Sequence, residues 1–141
     1  MKNIQVLKPK YRVEECLSEI KECLDIGWTG MGYKTIEFED RWKTYTSLNH
    51  AHFLSSATVG LHLAVKILKE KYNWHDGDEV ITTPFTFVST NHSILYENLK
   101  PCFADIDDSL NLDPQSVKDK INKNTKAIIF VGIGGNTKNL I

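Results

Sequence analysis

The sequence predicts an α/β fold in which helices flank a mostly parallel sheet. From residue 52 onward, short apolar runs alternate with helical segments. The predicted strands begin about every 25 residues, which is typical of βαβ units. The run AIIFV at 127–131 is apolar throughout, as expected for a strand that is buried on both faces.

Two helices are predicted before the alternating pattern begins. Residues 12–26 place apolar side chains at helical spacing, in a stripe formed by Val13, Leu17, Ile20 and Leu24. The segment GWTGMG at 27–32 is too rich in glycine to continue this helix. The second helix is predicted over 34–47.

The remaining elements follow in alternating order. Strands are predicted at 52–54, 79–83, 102–106 and 126–131, and helices at 57–72, 87–98 and 113–121. Asp113 is expected to cap the last of these helices, because proline at position 114 fits the first helical position.

Composition excludes several classes of protein. The 141 residues carry a net charge of -1, which gives no electrostatic reason to expect a nucleic acid or an anionic membrane as partner. No stretch approaches the roughly 20 apolar residues of a membrane span, and no signal peptide follows Met1. The three cysteines include no C-x-x-C pair, which favours a reducing compartment. We therefore expect a cytoplasmic protein.

The segment SSATVG at 55–60 is a candidate anion site. Small and hydroxylated residues stand where a helix is predicted to begin, and a helix N-terminus offers free N–H groups to a phosphate. Ser56 and Thr58 add hydroxyl donors, and the small Ala57 allows close approach of the backbone. Ordinary N-capping explains the same residues equally well.

Two other segments, at or just after the ends of predicted strands, contain candidate site residues. Phe87 follows the strand at 79–83, on the edge where open α/β sheets bind ligands, and its ring suits stacking on a flat heterocycle. The alternative is that Phe87 packs under the next helix. Asp105 and Asp107 raise the question of a metal pair, but no further ligand cluster lies nearby, so no metal site is predicted.

Five ordered motifs resemble one enzyme family. They are GWTGMGYKTIEFE at 27–39, SSATVGLHLAV at 55–65, GDEVITTPFTFVST at 77–90, FADID at 103–107 and NTKAIIFV at 124–131. Together they resemble the N-terminal third of the DegT/StrS-type sugar-nucleotide aminotransferases, which depend on pyridoxal phosphate (PLP) and have the aspartate-aminotransferase-like fold type I. The resemblance implies that residues 1–141 form the N-terminal part of the PLP-binding large domain, with the C-terminal remainder absent.

The resemblance also implies roles for particular residues. Ala57 and Thr58 match the pair that holds the cofactor phosphate, Phe87 matches the aromatic that stacks on the pyridine ring, and Ser89 matches a supporting polar position. A second set matches the loop on the substrate side of the family site: Trp28, Thr29 and Met31. Two residues depart from the family, because Tyr33 replaces its usual proline and Gly132 its usual histidine.

By this resemblance, the whole protein would move an amino group from glutamate to a keto group of a nucleotide-linked deoxysugar, as a homodimer. No catalytic residue is assigned within 1–141, because the PLP-binding lysine and the carboxylate that pairs with the pyridine nitrogen are expected beyond Ile141. These residues by themselves are expected to be inactive. Two alternatives remain: a PLP-dependent sugar dehydratase of the same fold, and a small non-enzymatic α/β module that binds an anion.

Overall fold

The computed structural model describes residues 8–140, which form two compact units divided between Phe53 and Leu54. The first unit contains helices α1 (Val13–Ile26) and α2 (Tyr33–Thr46), close to the two predicted helices. The apolar stripe of α1 is more than half exposed within the described chain, at 55–61% for its four members.

Side chains at the start of α2 connect it to α1. The Tyr33 hydroxyl donates to Glu22 at 2.9 Å, and Lys34 forms ion pairs with Glu19 and with Glu22. Desolvation at this contact and the hydrogen bond to Glu22 raise the pKa of Tyr33 to about 12, so the hydroxyl remains a donor at neutral pH. Tyr33 thus joins the two helices.

The second unit is a three-stranded sheet with helices on both faces. Its elements are α3 (Ala57–Lys71), β1 (Glu79–Thr82), α4 (Ser89–Leu95), β2 (Lys100–Phe103), α5 (Pro114–Lys120), β3 (Thr125–Ile128) and a short 3-10 turn (Ile133–Gly135). The strand order is β2-β1-β3, and both pairings are parallel. The predicted α/β class with a parallel sheet is confirmed.

The central strand β1 divides the core into two layers. Val80 packs with Val65 of α3 and Ile94 of α4 on one face of the sheet. Its neighbour Ile81 packs with Leu112 and Val117, before and within α5, on the other face. Because successive side chains of a strand point to opposite faces, β1 serves both layers and is buried along its whole length.

Several predicted boundaries are wrong. Residues 52–54 are not a strand, because none of the described strands pairs with them. The helix predicted at 87–98 is limited to Ser89–Leu95, and the strand predicted at 102–106 begins and ends earlier, at Lys100–Phe103.

The expectation of a last strand buried on both faces is also wrong. In β3, Lys126 and Ile128 point to one face of the sheet and are exposed, with Ile128 at 48%. Ala127 and Ile129, on the opposite face, are half-buried against the layer that contains Val80, so only one face of the strand is covered within the described chain.

The other edge strand, β2, contains a proline. The backbone N–H groups of Lys100 and Ala104 donate to the carbonyls of Asp78 and Thr82, at 2.9 and 2.8 Å. Because alternate residues of a strand face the same neighbour, the nitrogen of Pro101 faces away from β1, where no ladder donor is lost. Within residues 8–140, no helix is both long and apolar enough to cross a membrane.

Candidate functional site

The first turn of α3 presents free backbone donors. Ser56 precedes the helix with extended backbone, and its Oγ accepts the Val59 N–H at 3.3 Å. The Gly60 N–H bonds to the Ser56 carbonyl at 3.2 Å. The N–H groups of Ala57 and Thr58 have no acceptor among the described residues. Ala57 is exposed and Thr58 is half-buried. This donor set, at the positive end of a 15-residue helix, fits a phosphate group.

Helices α3 and α4 both begin at the carboxyl edge of the sheet. α3 ends before the amino end of β1, whereas α4 begins after its carboxyl end and ends before β2. Because helices of α/β units run against their strands, both N-termini lie at the edge where such folds bind ligands. Both helices also contribute to the same core layer, through Val65 and Ile94, so they lie on one face of the sheet.

The loop between β1 and α4 carries an exposed aromatic side chain at this edge. Phe87 is 76% exposed, which is more than the neighbouring Phe85 at 44% and Val88 at 51%. The side chain therefore does not pack beneath α4 within the described chain. An exposed ring at the same sheet edge as a helix N-terminus with free donors fits a flat, phosphorylated heterocycle.

A polar network holds this loop in place, and sequence reasoning did not find its central member, Asn91. The Asn91 Oδ1 accepts the Thr82 hydroxyl at 3.0 Å, and its Nδ2 donates to the Thr83 carbonyl at 3.2 Å. Asn91 thereby fastens α4 to the end of β1. The sequence signal for this role was the polar run Ser89–His92, which is unusual in a helix expected to pack against the sheet.

The predicted supporting residue, Ser89, lies at the first position of α4 and is 7% exposed. Its neighbour Thr90 is also buried, and its Oγ1 lies 3.1 Å from that of Thr86 within the loop. Both residues follow Phe87 within three positions and form the buried base from which the loop projects.

The substrate-side candidates lie in the first unit, in the loop between α1 and α2. The indole N–H of Trp28 donates to the Met31 carbonyl at 2.8 Å. Trp28 and Met31 are 57% and 74% exposed, and Thr29 is exposed as well. The cofactor candidates, by contrast, belong to the second unit.

Asp107 is engaged in loop contacts after β2. It accepts hydrogen bonds from the Ser109 N–H at 2.8 Å and from the Asn139 amide at 2.9 Å. The contacts with Ser109 and Asn139 lower the pKa of Asp107 to about 2. Across residues 8–140, His, Cys, Asp and Glu side chains form no group of three or more that could hold a metal ion.

The turn that contains Gly132 depends on that glycine. A Cβ at this position would lie 2.6 Å from the Asn136 carbonyl oxygen, closer than carbon and oxygen normally approach. A histidine at this position, as the resemblance predicts, would therefore not fit this conformation. Asn111, which is 1% exposed, fixes the following segment by donating to the carbonyls of Asn136 and Lys138 at 3.2 and 2.9 Å.

Solved structures with the same architecture are sugar enzymes that use PLP. A putative sugar aminotransferase of Streptococcus pneumoniae, Spr1654, in its PLP form is 30% identical with a TM-score of 0.86, over 97% of this chain and 34% of that chain. The E. coli GDP-4-keto-6-deoxy-D-mannose-3-dehydratase with bound hydrated PLP is 26% identical with a TM-score of 0.82, over 92% of this chain and 34% of that chain.

The chain belongs to the DegT/DnrJ/EryC1/StrS aminotransferase family, whose model matches residues 10–140. Among curated proteins, it is 38% identical to the UDP-4-amino-4-deoxy-L-arabinose--oxoglutarate aminotransferase of Shewanella sediminis, over 86% of this chain and 31% of that protein. The chain thus spans about a third of the length of such relatives. The family, together with the PLP and pyridoxamine-phosphate forms of Spr1654, indicates PLP as the cofactor, as the sequence predicts.

Proposed function

We propose that the protein acts in the PLP-dependent transfer of an amino group from glutamate to a keto group of a nucleotide-linked deoxysugar. The observation that carries the proposal is that α3, whose first turn has free donors, and α4, which follows the exposed Phe87, begin at one edge of a parallel sheet and pack on one face of it. Family membership gives the reaction class. The oxoglutarate in the name of the Shewanella relative supports glutamate as donor, because 2-oxoglutarate is what glutamate becomes when it loses its amino group.

The residues of this chain would bind and orient the cofactor. The N–H groups of Ala57 and Thr58 and the Thr58 hydroxyl would hold its phosphate, and Phe87 would lie against its ring, with Ser89 supporting the loop. When bound, PLP supplies an electron sink for the charge that develops at the amino donor. Trp28, Thr29 and Met31 would contact the sugar nucleotide.

Binding of PLP to single variants tests the cofactor site. Loss of the Thr58 hydroxyl in Thr58→Ala removes a hydrogen bond to a charged group, worth about 1.5–3 kcal/mol, so PLP should bind about 10- to 150-fold more weakly. Phe87→Ala should weaken binding about 5-fold or more through lost stacking. The neighbouring Val88→Ala, exposed in the same loop, is the matched control. Unchanged PLP affinity in both site variants would contradict the proposed site.

Dehydration of a keto sugar is the second candidate, because the E. coli dehydratase has a similar structure. An aminotransferase needs a lysine to exchange the amino group, whereas the related dehydratases are expected to lack it. Incubation with glutamate and a 4-keto sugar nucleotide separates the two. An amino sugar as product favours transfer, and a deoxygenated keto sugar favours dehydration.

We also propose that residues 1–141 are the N-terminal part of the PLP-binding large domain and do not catalyse the reaction alone. Several lysines of this chain, among them Lys34, Lys69 and Lys100, are paired with acidic side chains. None of its lysines matches the sequence context of the family lysine. The whole protein would work as a homodimer in the cytoplasm. Turnover by these 141 residues alone would refute the proposal that the reaction needs further residues of the whole protein.

A further inference from the structure

The loop between α1 and α2 is fixed at both ends. Gly27 adopts a left-handed conformation with φ 75°, its N–H bonds to the Leu24 carbonyl at 3.0 Å, and the Trp28 N–H bonds to the Cys23 carbonyl at 3.1 Å. This pair of bonds is the Schellman arrangement that ends a helix. At the other end, Tyr33 is anchored to α1 through Glu22. The five residues between Gly27 and Tyr33 are therefore tethered at both ends.

The Trp28 ring lies directly against Gly32. A Cβ at position 32 would be 2.5 Å from both Cδ1 and Nε1 of the indole, so any side chain there would displace the ring. The indole N–H is already used by the Met31 carbonyl. The polar edge of the ring is therefore satisfied inside the loop, and 57% of the residue still faces solvent. The result is a flat apolar surface held ready in one orientation.

This loop offers stacking rather than charge pairing. The segment GWTGMG contains no charged residue, and the nearest cation along the chain, Lys34, is paired with Glu19 and Glu22. For a phosphate or carboxylate these side chains offer no free positive charge and only the neutral hydroxyl of Thr29, whereas an uncharged planar ring gains contact with the indole face. A platform that is already ordered also avoids the entropy cost of fixing an aromatic side chain on binding.

We infer that Trp28 is a stacking platform for the purine or pyrimidine base of a nucleotide ligand. The inference rests on the proposed function, because a nucleotide-linked substrate supplies the base, and it assigns that part of the substrate to one side chain. Met31, whose carbonyl accepts the indole N–H, is itself 74% exposed.

Calorimetric titration of the PLP-loaded protein with UDP, GDP and ribose 5-phosphate tests the inference. Trp28→Ala should weaken UDP or GDP binding about 5- to 150-fold, the range of a base–aromatic stack worth about 1–3 kcal/mol. Trp28→Phe should retain most of the affinity, and Gly32→Ala should reduce it by displacing the indole. Ribose 5-phosphate, which has no base, should respond to none of these changes. Trp42→Phe, another exposed tryptophan of the same unit, is the control.

Nucleotide affinity that is the same in Trp28→Ala and wild type overturns the inference. An equal loss of ribose 5-phosphate binding overturns it too, because the effect would then not come from the base. PLP affinity, measured on the same samples, separates the two proposals. If PLP binds and neither nucleotide does, the inference alone fails, whereas loss of PLP binding in the wild type counts against the proposed function.

Discussion

Replacing Asn91 with alanine should loosen the loop that carries Phe87. Asn91 accepts the hydroxyl of Thr82, which is 0% exposed, and donates to the carbonyl of Thr83, which is 2% exposed. The substitution removes two hydrogen bonds, each worth about 1 kcal/mol net, and strands a buried hydroxyl. We expect the free energy of unfolding to fall by about 2–4 kcal/mol, a large part of the 5–15 kcal/mol typical of a domain.

Urea unfolding followed by far-UV circular dichroism measures this loss. A second substitution, Thr82→Val, tests the cause. In the wild type it breaks the bond to Asn91, but in the Asn91→Ala background it removes a hydroxyl that already has no acceptor, so it should cost much less there. Amide hydrogen exchange over residues 83–90 should become faster in Asn91→Ala, because the loop is then held at fewer points.

Asn124→Ala is the matched control, since this asparagine is exposed at the start of β3 and a surface substitution should stay within about 0.5 kcal/mol of wild type. An Asn91→Ala protein as stable as this control would refute the role given to the network. So would an equal cost of Thr82→Val in both backgrounds, because the two side chains would then not be coupled.

Two further predictions concern the loops after β2 and β3. Gly132→His should lower the free energy of unfolding by about 1–3 kcal/mol in urea, because its Cβ would meet the Asn136 carbonyl, whereas Gly30→Ala, with open space around it, should be tolerated. Asp107 has a pKa of about 2, below its ordinary 3.8, so its contribution to stability is present above pH 3.8 and is lost as the pH falls toward 2. Stability measured across that range should depend less on pH in Asp107→Asn, and an unchanged slope would refute the contribution of its contact with Ser109.

The long helices were predictable because their signals are local. The helix predicted at 12–26 is Val13–Ile26, and the one predicted at 57–72 is Ala57–Lys71. The strands were less predictable because strand pairing depends on residues that are distant in the sequence. Residues 52–54 have strand composition but no described partner, and the apolar run after Lys126 is only partly buried because just one face of β3 is covered within the described chain.

The candidate site was predictable where a residue type fits a ligand and not where it supports a neighbour. Phe87 and Thr58 follow from the motifs and from the chemistry of stacking and phosphate binding. The role of Asn91 was not predictable because its partners lie at the end of β1, and only the folded chain brings them together. The contact of Trp28 with Gly32 is hidden for the same reason: four residues apart, they meet only because the loop turns back on itself.

The two margins of the sheet differ in what they can accept. On the β2 side, Pro101 interrupts the outward row of donors, so a further strand would lack a bond there. On the β3 side, the Ile129 N–H bonds inward to the Ile81 carbonyl at 2.8 Å. The N–H groups of Lys126 and Ile128 therefore point outward, and neither residue is a proline. Any extension of the sheet, including self-association of concentrated samples, should therefore start at β3. When such samples precipitate, Ile128→Pro is the first substitution to test, because it removes an outward N–H donor from β3.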